Sequence, residues 1–395
     1  SLRFLMDTFA PWLMLAVAIG VGWVLGYTAK KNSSTGADSA LPSNLKDRLK
    51  ILFETYSEEV IDSFVQSLEV TSETVGMHLS IGSHFRKNGE VEKAILVHQN
   101  LMSRPEVPKN FTDEVMFELA KDYMAAGLLD RAESLFLRLN ESRSFGQKSL
   151  KWLVDIYQQE RDWDRAIEYG VAYHAQKGVD ISVMLSHFSC EIAEKLVEQH
   201  HYWDARNKLR EALGFNRGCV RATLLLAKIH MDEGHYSEAV VILRKVEGQD
   251  FRFVSEVIPL LLECSRQLKT ENKFRRYLEG ILVKKSLSSV MLGIADSYNR
   301  EFGVAEAEDF LVGSLLKRSS LKGLDRLVDY QSARAMSDSD IRHLTIIKQV
   351  TQSLLEGKPV YQCESCGFSG EVLHWQCPSC KEWGVVAPIQ GVEGE

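Results

Sequence analysis

Residues 120–136 read AKDYMAAGLLDRAESLF, and the spacing within this stretch decides the fold. Ala120 is followed three residues later by Tyr123, four beyond that by Gly127, then by Ala132 and by Phe136. Spacings of three and four residues place such positions on one face of a helix. Small residues allow two neighbouring helices to pack closely, and the aromatic residues fill the gap to the next pair. The stretch therefore predicts an antiparallel pair of helices that buries little on its own.

The same grid recurs along the chain. Its small first positions are 82, 120, 154, 193, 227, 265 and 295, at intervals of 38, 34, 39, 34, 38 and 30 residues. These intervals scatter around the 34-residue tetratricopeptide period, with the longer ones as loop insertions. An ordinary helical bundle would not keep this register through six intervals. The copies read Gly82, Phe85, Gly89, Ala94, His98; Ala120, Tyr123, Gly127, Ala132, Phe136; Val154, Tyr157, Ala166, Gly170; Ala193, Leu196, Ala205, Leu209; Ala227, His230, Gly234, Ala239, Leu243; Ser265, Leu268, Asn272, Tyr277; and Ala295, Tyr298, Ala307, Leu311.

A degenerate first copy is predicted around Arg48, and a last one over Leu321 to Gly357. The sequence thus predicts an all-α solenoid of about eight repeats over residues 44–357. Repeats of this kind are binding scaffolds as a rule. Six polar residues that follow the small position are predicted to line the groove, although a plain solvated helix would look the same. They are Lys121, Asp155, Gln158, Glu194, Glu198 and Lys228.

An uncharged stretch at residues 8–29 precedes the repeats. Its 22 residues are enough for a helix that crosses the roughly 30 Å bilayer core, and we predict a transmembrane helix. Trp12 and Trp23 lie near its two ends, and Lys30 with Lys31 follow it, so the positive-inside rule places the rest of the chain in the cytoplasm. A cleaved signal peptide would need a shorter apolar region, and 22 uncharged residues without a polar face are not expected of a helix in a soluble repeat protein.

Two further features belong to this N-terminal region. Gly22 and Gly26 form a Gly-x-x-x-Gly step, which allows close approach of a second membrane helix or arises by chance. Residues 30–43 are mostly small and polar, and predict a flexible linker.

Composition and motif searches argue against catalysis and against nucleic acid. The 395 residues carry 47 Lys and Arg against 54 Asp and Glu, a net charge of −7 that does not suit phosphate binding. No zinc-protease, phosphate-loop, nucleophile-elbow or dinucleotide motif occurs. Core packing or solvent exposure is favoured over metal ligation for the five histidines on the grid or its turns, which are His84, His98, His187, His230 and His235. The sequence predicts no enzyme.

Four cysteines at the C-terminus carry the most specific chemistry. Cys363 and Cys366 form one Cys-x-x-Cys turn, and Cys377 and Cys380 form another. Two such turns offer four thiolates to one tetrahedral ion, which is iron or zinc. A domain of about 30 residues depends on such a metal to fold, and its linker to the repeats is so short that we expect it to dock on them.

Other residues of this segment and the remaining cysteines fit the same interpretation. Gly367 suits a tight turn whose backbone amides point at sulfur. Residues 361–395 contain one Lys, no Arg and five Glu, a charge balance that argues against a nucleic-acid-binding face. Cys190, Cys219 and Cys264 lie in apolar stretches and are expected in the core.

The order of these parts resembles a known family. A single span containing Gly22-Trp23-Val24-Leu25-Gly26, a tetratricopeptide array and the closing motifs at residues 361–391 are similar to the lipopolysaccharide assembly protein B family of Gram-negative bacteria. The closing motifs comprise Tyr361, Cys363, Cys366, Gly367, Phe368, Trp375, Cys377-Pro378-Ser379-Cys380, Trp383, Pro388-Ile389 and Gly391. Two departures are the residues that precede the span and Lys30-Lys31 where the family usually has an arginine pair.

The resemblance implies a rubredoxin-like metal domain over residues 360–391 and a single-pass protein of the bacterial inner membrane, in contact with membrane lipid. It also implies an adaptor that restrains lipopolysaccharide synthesis. The implied partners are a membrane-anchored AAA+ metalloprotease, the deacetylase that commits precursor to lipid A and an inner-membrane regulator of lipopolysaccharide synthesis. The oligomeric state, including a homodimer, is left open. Two alternatives remain: a tethered rubredoxin-like electron carrier and a membrane-bound co-chaperone for other clients.

Overall fold

The computed structural model describes residues 71, 74–105, 107–335 and 337–395. The predicted transmembrane helix at 8–29, the linker at 30–43 and the degenerate repeat around Arg48 lie outside the described residues. In the described ranges, no helix combines the length and the apolar character that a membrane crossing requires.

The chain divides into two compact units after Gly146. The described part of the first unit is two helix pairs, in which each second helix packs antiparallel on the first. Their cores are formed by apolar residues from both helices, among them Ile81, Phe85 and Val97 in the first pair. The helices are α1 (Val75–Lys87), α2 (Val91–Ser103), α3 (Lys109–Ala125) and α4 (Leu129–Asn140).

The second unit contains six helix pairs and the C-terminal metal domain. Helix α5 starts at the boundary, and Tyr157 on α5 packs on Tyr169 of α6 with ring centroids 5.3 Å apart. The pairs from α7 onward pack in sequence order, each against the next. Their helices are α5 (Gly146–Glu160), α6 (Trp163–His174), α7 (Ser182–Glu198), α8 (Tyr202–Phe215), α9 (Val220–Asp232), α10 (Tyr236–Leu243), α12 (Val254–Gln267), α13 (Glu271–Lys284), α14 (Ser288–Glu301), α15 (Val304–Leu315), α16 (Leu321–Arg334) and α17 (Asp338–Leu355).

The repeat prediction is confirmed for the described residues, because the small positions of the grid are buried. Ala120, Ala193 and Ala227 are fully buried. The turn between the helices of a pair uses the left-handed region of φ, which glycine adopts at least cost. Gly127 has φ of 72° in the second pair, whereas His200 has φ of 61° at the same place in a later pair.

One copy of the grid was placed wrongly. The sequence pattern set it on Ser265, Asn272 and Tyr277, but the left-handed turn lies at Lys269 with φ of 55°. The buried residues of the following helix are Phe274, Leu278 and Ile281, so the register begins three residues earlier than predicted. A Phe replaces the usual Ala at the point where the two helices approach, and this substitution hid the correct register.

A short insertion interrupts the array between α10 and α12. It consists of α11 (Val246–Gln249) and a 3₁₀ turn, Phe251–Phe253. The Asp250 side chain accepts a hydrogen bond from the backbone N–H of Arg252 at 3.0 Å and starts that turn. Arg252 and Phe253 of this insertion both contact the metal domain.

The metal domain is a small antiparallel sheet with two cysteine turns. Its strands are β1 (Tyr361–Cys363), β2 (Ser369–Gly370) and β3 (Val386–Pro388), in the order β2-β1-β3. Cys363 pairs with Val386 in the register of β1 and β3. The end of β1 therefore delivers the first cysteine into the interior of the domain.

Candidate metal centre

Each Cys-x-x-Cys unit forms a tight backbone turn. In the first, the Cys363 N–H donates to the Phe368 carbonyl at 2.7 Å and the Gly367 N–H donates to the Cys363 carbonyl at 3.0 Å. In the second, the Lys381 N–H donates to the Cys377 carbonyl at 2.9 Å. Gly367 has φ of 76° and Lys381 has φ of 63°, so both turns close through a left-handed residue. Sequence analysis identified the glycine and missed the lysine.

The two turns bring the four predicted sulfurs together. Cys363 Sγ lies 3.8 Å from Cys380 Sγ, and Cys366 Sγ lies 3.6 Å from Cys377 Sγ. All four Sγ atoms lie within 4.8 Å of one another. Sulfurs bound to one tetrahedral ion at about 2.3 Å are separated by about 3.8 Å. The thiols therefore fit a single tetrathiolate ion, and a metal bound there would link the two turns across the domain.

Backbone amides are directed at the sulfurs, as the sequence predicted for this kind of turn. The Phe368 N–H donates to Cys366 Sγ, and this hydrogen bond lowers the pKa of that thiol to about 6. The Glu382 N–H donates to Cys380 Sγ. Cys363 and Cys377 are buried, whereas Cys366 is exposed. The centre is thus enclosed on one side and open to solvent at Cys366.

The metal domain docks on the helix pairs of the second unit, chiefly through Trp383. The Trp383 Nε1–H donates to Gln158 Oε1 of α5 at 2.9 Å. The indole stacks on His187 of α7 at 5.2 Å between ring centroids, and its neighbours Trp163 and Phe188 meet it edge to face at 6.2 and 5.9 Å. Trp383 is only 7% exposed. One residue next to the second cysteine turn therefore contacts three helices.

A second group of contacts involves the insertion and α12. Trp375 stacks on Phe253 with centroids 5.6 Å apart. The Tyr361 hydroxyl donates to Glu256 Oε1 at 2.8 Å, and Arg252 forms an ion pair with Glu364. Burial and the Glu256 hydrogen bond raise the pKa of Tyr361 well above its usual value. These contacts involve β1, the first cysteine turn and the segment before the second cysteine turn.

The segment after β3 is held by α14 and α16. Ser289 at the start of α14 donates its backbone N–H to Glu395 Oε2 at 2.9 Å. Lys322 Nζ lies 3.3 Å from Glu395 Oε1, and Arg318 donates to the Glu395 carbonyl. A carboxylate at a helix N-terminus is favoured by the partial positive charge there. The metal domain thus contacts pairs from α5 to α16.

His187 and Asp155 in the second unit also have strongly shifted pKa values. Burial lowers the pKa of His187 to about 3, and the nearby Arg221 guanidinium adds to this effect. The imidazole under Trp383 is therefore neutral at pH 7. Burial raises the pKa of Asp155 on α5 to about 6, although Lys151 opposes the shift.

The residues predicted to line the groove have different roles. Gln158 contacts the metal domain, as described above. Lys121 is paired with Glu118 at 2.8 Å, and Glu194 is paired with Arg221 at 2.8 Å. Asp155 is partly buried, and Glu198 and Lys228 are exposed.

Sequence reasoning missed most of the docking residues because they belong to distant repeats. His187 was assigned to packing or exposure, and Phe188, Phe253 and Glu256 carry no motif. The short linker correctly predicted that the domain docks on the repeats, but it did not identify the helices or the residues that receive the domain.

The remaining cysteines lie in the core, as predicted. Cys190, Cys219 and Cys264 are 0, 3 and 0% exposed. Cys190 Sγ and Cys219 Sγ are in contact at 3.9 Å.

Comparison with known proteins confirms the resemblance inferred from the sequence. Residues 361–388 match a family model described as "Rubredoxin metal binding domain". Lipopolysaccharide assembly protein B of Escherichia coli strain K12 is 29% identical over 97% of this chain and 98% of its own length. The protein of the same name from Haemophilus influenzae is 28% identical over 97% of this chain and 98% of its own length.

Among solved structures, a tetratricopeptide repeat protein from Parabacteroides merdae is similar to 70% of this chain and 98% of its own chain, at 10% identity and a TM-score of 0.31. The assignment of repeats rests on the helix pairs and buried grid positions of this chain.

Proposed function

We propose that this chain, similar along almost its whole length to proteins named lipopolysaccharide assembly protein B, is a non-catalytic adaptor that regulates lipopolysaccharide synthesis. In this proposal it brings the lipid A deacetylase to a membrane-anchored AAA+ protease. An inner-membrane regulator of lipopolysaccharide synthesis modulates that coupling. The bulk of the chain lies in the cytoplasm, tethered by residues 8–29.

The observation that carries the adaptor proposal is the docking of the metal domain across several helix pairs of the second unit. Trp383 joins it to α5 and α7, and Glu395 joins it to α14 and α16. Contacts spread over this length connect helix pairs of the second unit, so these pairs and the metal domain together present one preformed surface. Preformed surfaces bind partners without an ordering cost, which suits a scaffold that must hold two proteins at once.

The metal in this proposal is structural. Four thiolates of Cys363, Cys366, Cys377 and Cys380 would hold one iron or zinc ion, and the ion would stabilise the two turns that display Trp375 and Trp383. Protein side chains hold the domain on the helices, since aromatic rings and ion pairs of the domain contact the helices directly.

Cross-linking with mass spectrometry on membranes from cells that express the full chain tests the proposal. We expect cross-links from the helix pairs to both the protease and the deacetylase. Recovery of unrelated client peptides without these two enzymes would favour the co-chaperone alternative and contradict the adaptor.

One observation favours a second function, that of an electron carrier. Cys366 is exposed at the edge of the tetrathiolate, so a redox partner could approach within a few ångströms of the ion. Iron in such a site gives a visible absorbance that disappears reversibly on reduction. A purified protein that contains zinc and shows no such absorbance would exclude this alternative.

A further inference from the structure

A second group of metal-ligating side chains lies in the second unit, in the turn between α9 and α10. His230, Glu233 and His235 each offer one ligand atom, and these atoms lie within 4.8 Å of one another. They are far along the chain from the four cysteines. The sequence pattern had assigned both histidines to packing or exposure, because the grid does not reveal that the turn folds them toward one carboxylate.

The backbone of the turn holds the three residues in place. His230 lies in the last turn of α9, Glu233 is its C-cap and His235 is the N-cap of α10. The His235 N–H donates to the His230 carbonyl at 2.7 Å, and Gly234 has φ of 78°. The two rings therefore lie close together across the turn, with centroids 6.1 Å apart and planes inclined by 60°.

The side chains have unused capacity for a ligand. The Nδ1 atom of His230 is buried and makes no hydrogen bond with any described residue. The His235 side chain is 59% exposed, and its Nδ1 lies 3.6 Å from Glu233 Oε2. Two neutral imidazoles and a carboxylate form a ligand set typical of zinc, with water in the fourth position.

Arg206 supports the carboxylate from the adjacent helix α8. Its guanidinium donates to Glu233 Oε1 at 2.7 Å and to Oε2 at 2.5 Å. Carboxylates that ligate metals are commonly hydrogen-bonded in this way, which fixes their orientation. Each oxygen keeps a lone pair for the ion, while the positive charge of Arg206 weakens binding. The site is therefore suited to exchangeable zinc.

We propose that His230, Glu233 and His235 form a second divalent-metal site of the zinc class, distinct from the tetrathiolate. A bound ion links the end of α9 to the start of α10, while Arg206 already holds Glu233 on α8. The site tightens this part of the array in response to the available zinc.

The test measures zinc stoichiometry of the full chain in detergent, after its metals have been exchanged so that zinc is the only metal present, by equilibrium dialysis and elemental analysis. We expect two zinc ions per wild-type chain. His235→Asn places a favourable N-cap residue at the start of α10 and removes one ligand, so it should bind one zinc ion, or bind the second at least about tenfold more weakly. Glu233→Gln should have the same effect. A wild-type stoichiometry of one, or unchanged affinity for the second ion in both variants, would overturn the proposal.

His201→Asn is the matched control. His201 is the N-cap of α8, the position in the preceding helix pair that is equivalent to His235. The position equivalent to Glu233 in that pair is occupied by Gln199, which is a poor zinc ligand. This variant should retain two zinc ions. Loss of the second ion in His201→Asn as well would contradict the assignment.

Cobalt provides a second readout. Co²⁺ added to protein that carries one zinc ion, on the four thiolates, should give weak visible bands without the intense near-ultraviolet bands of a cobalt thiolate, and His235→Asn should lose them. Thiolate bands would place the added ion on the cysteines and contradict the proposal.

Discussion

Replacement of Trp383 by Ala should release the metal domain from the helix pairs without removing its metal. The indole is 7% exposed, donates to Gln158 and packs on His187, Trp163 and Phe188. Truncation of a buried Trp to Ala costs about 3–5 kcal/mol. At 1.36 kcal/mol for each factor of ten, even the lower figure reduces the docking equilibrium constant by about 10²-fold. The metal-binding turns should survive, because Trp383 points away from the cysteines toward the repeats.

Hydrogen–deuterium exchange of the purified full chain is the appropriate assay, with elemental analysis of the same sample. We expect faster exchange in α5 and α7, where the docked indole covers the helices, and an unchanged metal content. Trp383→Phe should show a smaller effect, since it retains most of the ring packing and loses the hydrogen bond to Gln158, which is worth about 1 kcal/mol. Trp203→Ala is the control, because Trp203 is 68% exposed. Unchanged exchange in α5 and α7 of Trp383→Ala would refute the docking account.

Three further predictions follow from single residues. The pKa of His187 is about 3 in the folded state and near 6.5 in the unfolded state, so the unfolded chain binds the extra proton and stability falls as pH decreases through this window. From pH 6.5 to 5 the free energy of unfolding should fall by about 2 kcal/mol, and chemical denaturation of His187→Gln should not show this decrease. Asp155, with a pKa of about 6, has the opposite pH dependence, but it is present in both the wild type and the variant. Lys269→Gly should stabilise the protein by up to about 1 kcal/mol in the same assay because φ there is 55°, whereas Lys269→Ala should give no such gain. Gly384→Ala should accelerate exchange in α7, because φ is 69° and an added Cβ would lie 3.1 Å from His187 Nε2; exchange equal to wild type would contradict this steric argument.

The local parts of the structure were predictable from the sequence. The grid of small and aromatic residues indicated helix pairs because each pair needs small residues where its two helices pack, and a new pair begins about every 34 residues. Ala120, Ala193 and Ala227 are buried accordingly. The four cysteines were identifiable because metal-binding turns require ligands at short, fixed spacing. Both the grid and the cysteine spacing involve residues that are close together in the sequence.

The docking of the metal domain could not be predicted in detail. Trp383 and Gln158 are separated by 225 residues, and no periodic pattern connects them. The register around Lys269 was wrong because Phe274 replaces the small residue that the grid requires. The site around Glu233 escaped notice for a related reason: helical periodicity describes faces of helices, whereas these ligands meet in a turn.

The half-life of the deacetylase in cells tests the central claim most directly. Cys363→Ser combined with Cys366→Ser removes two of the four thiols, which should unfold the metal domain and leave the helix pairs intact. At matched abundance of wild-type and variant protein in the membrane, the adaptor account predicts a longer deacetylase half-life and a higher steady-state level in the variant. A half-life equal to that of wild type would contradict the account, because the metal domain would then be dispensable for delivery of the deacetylase to the protease.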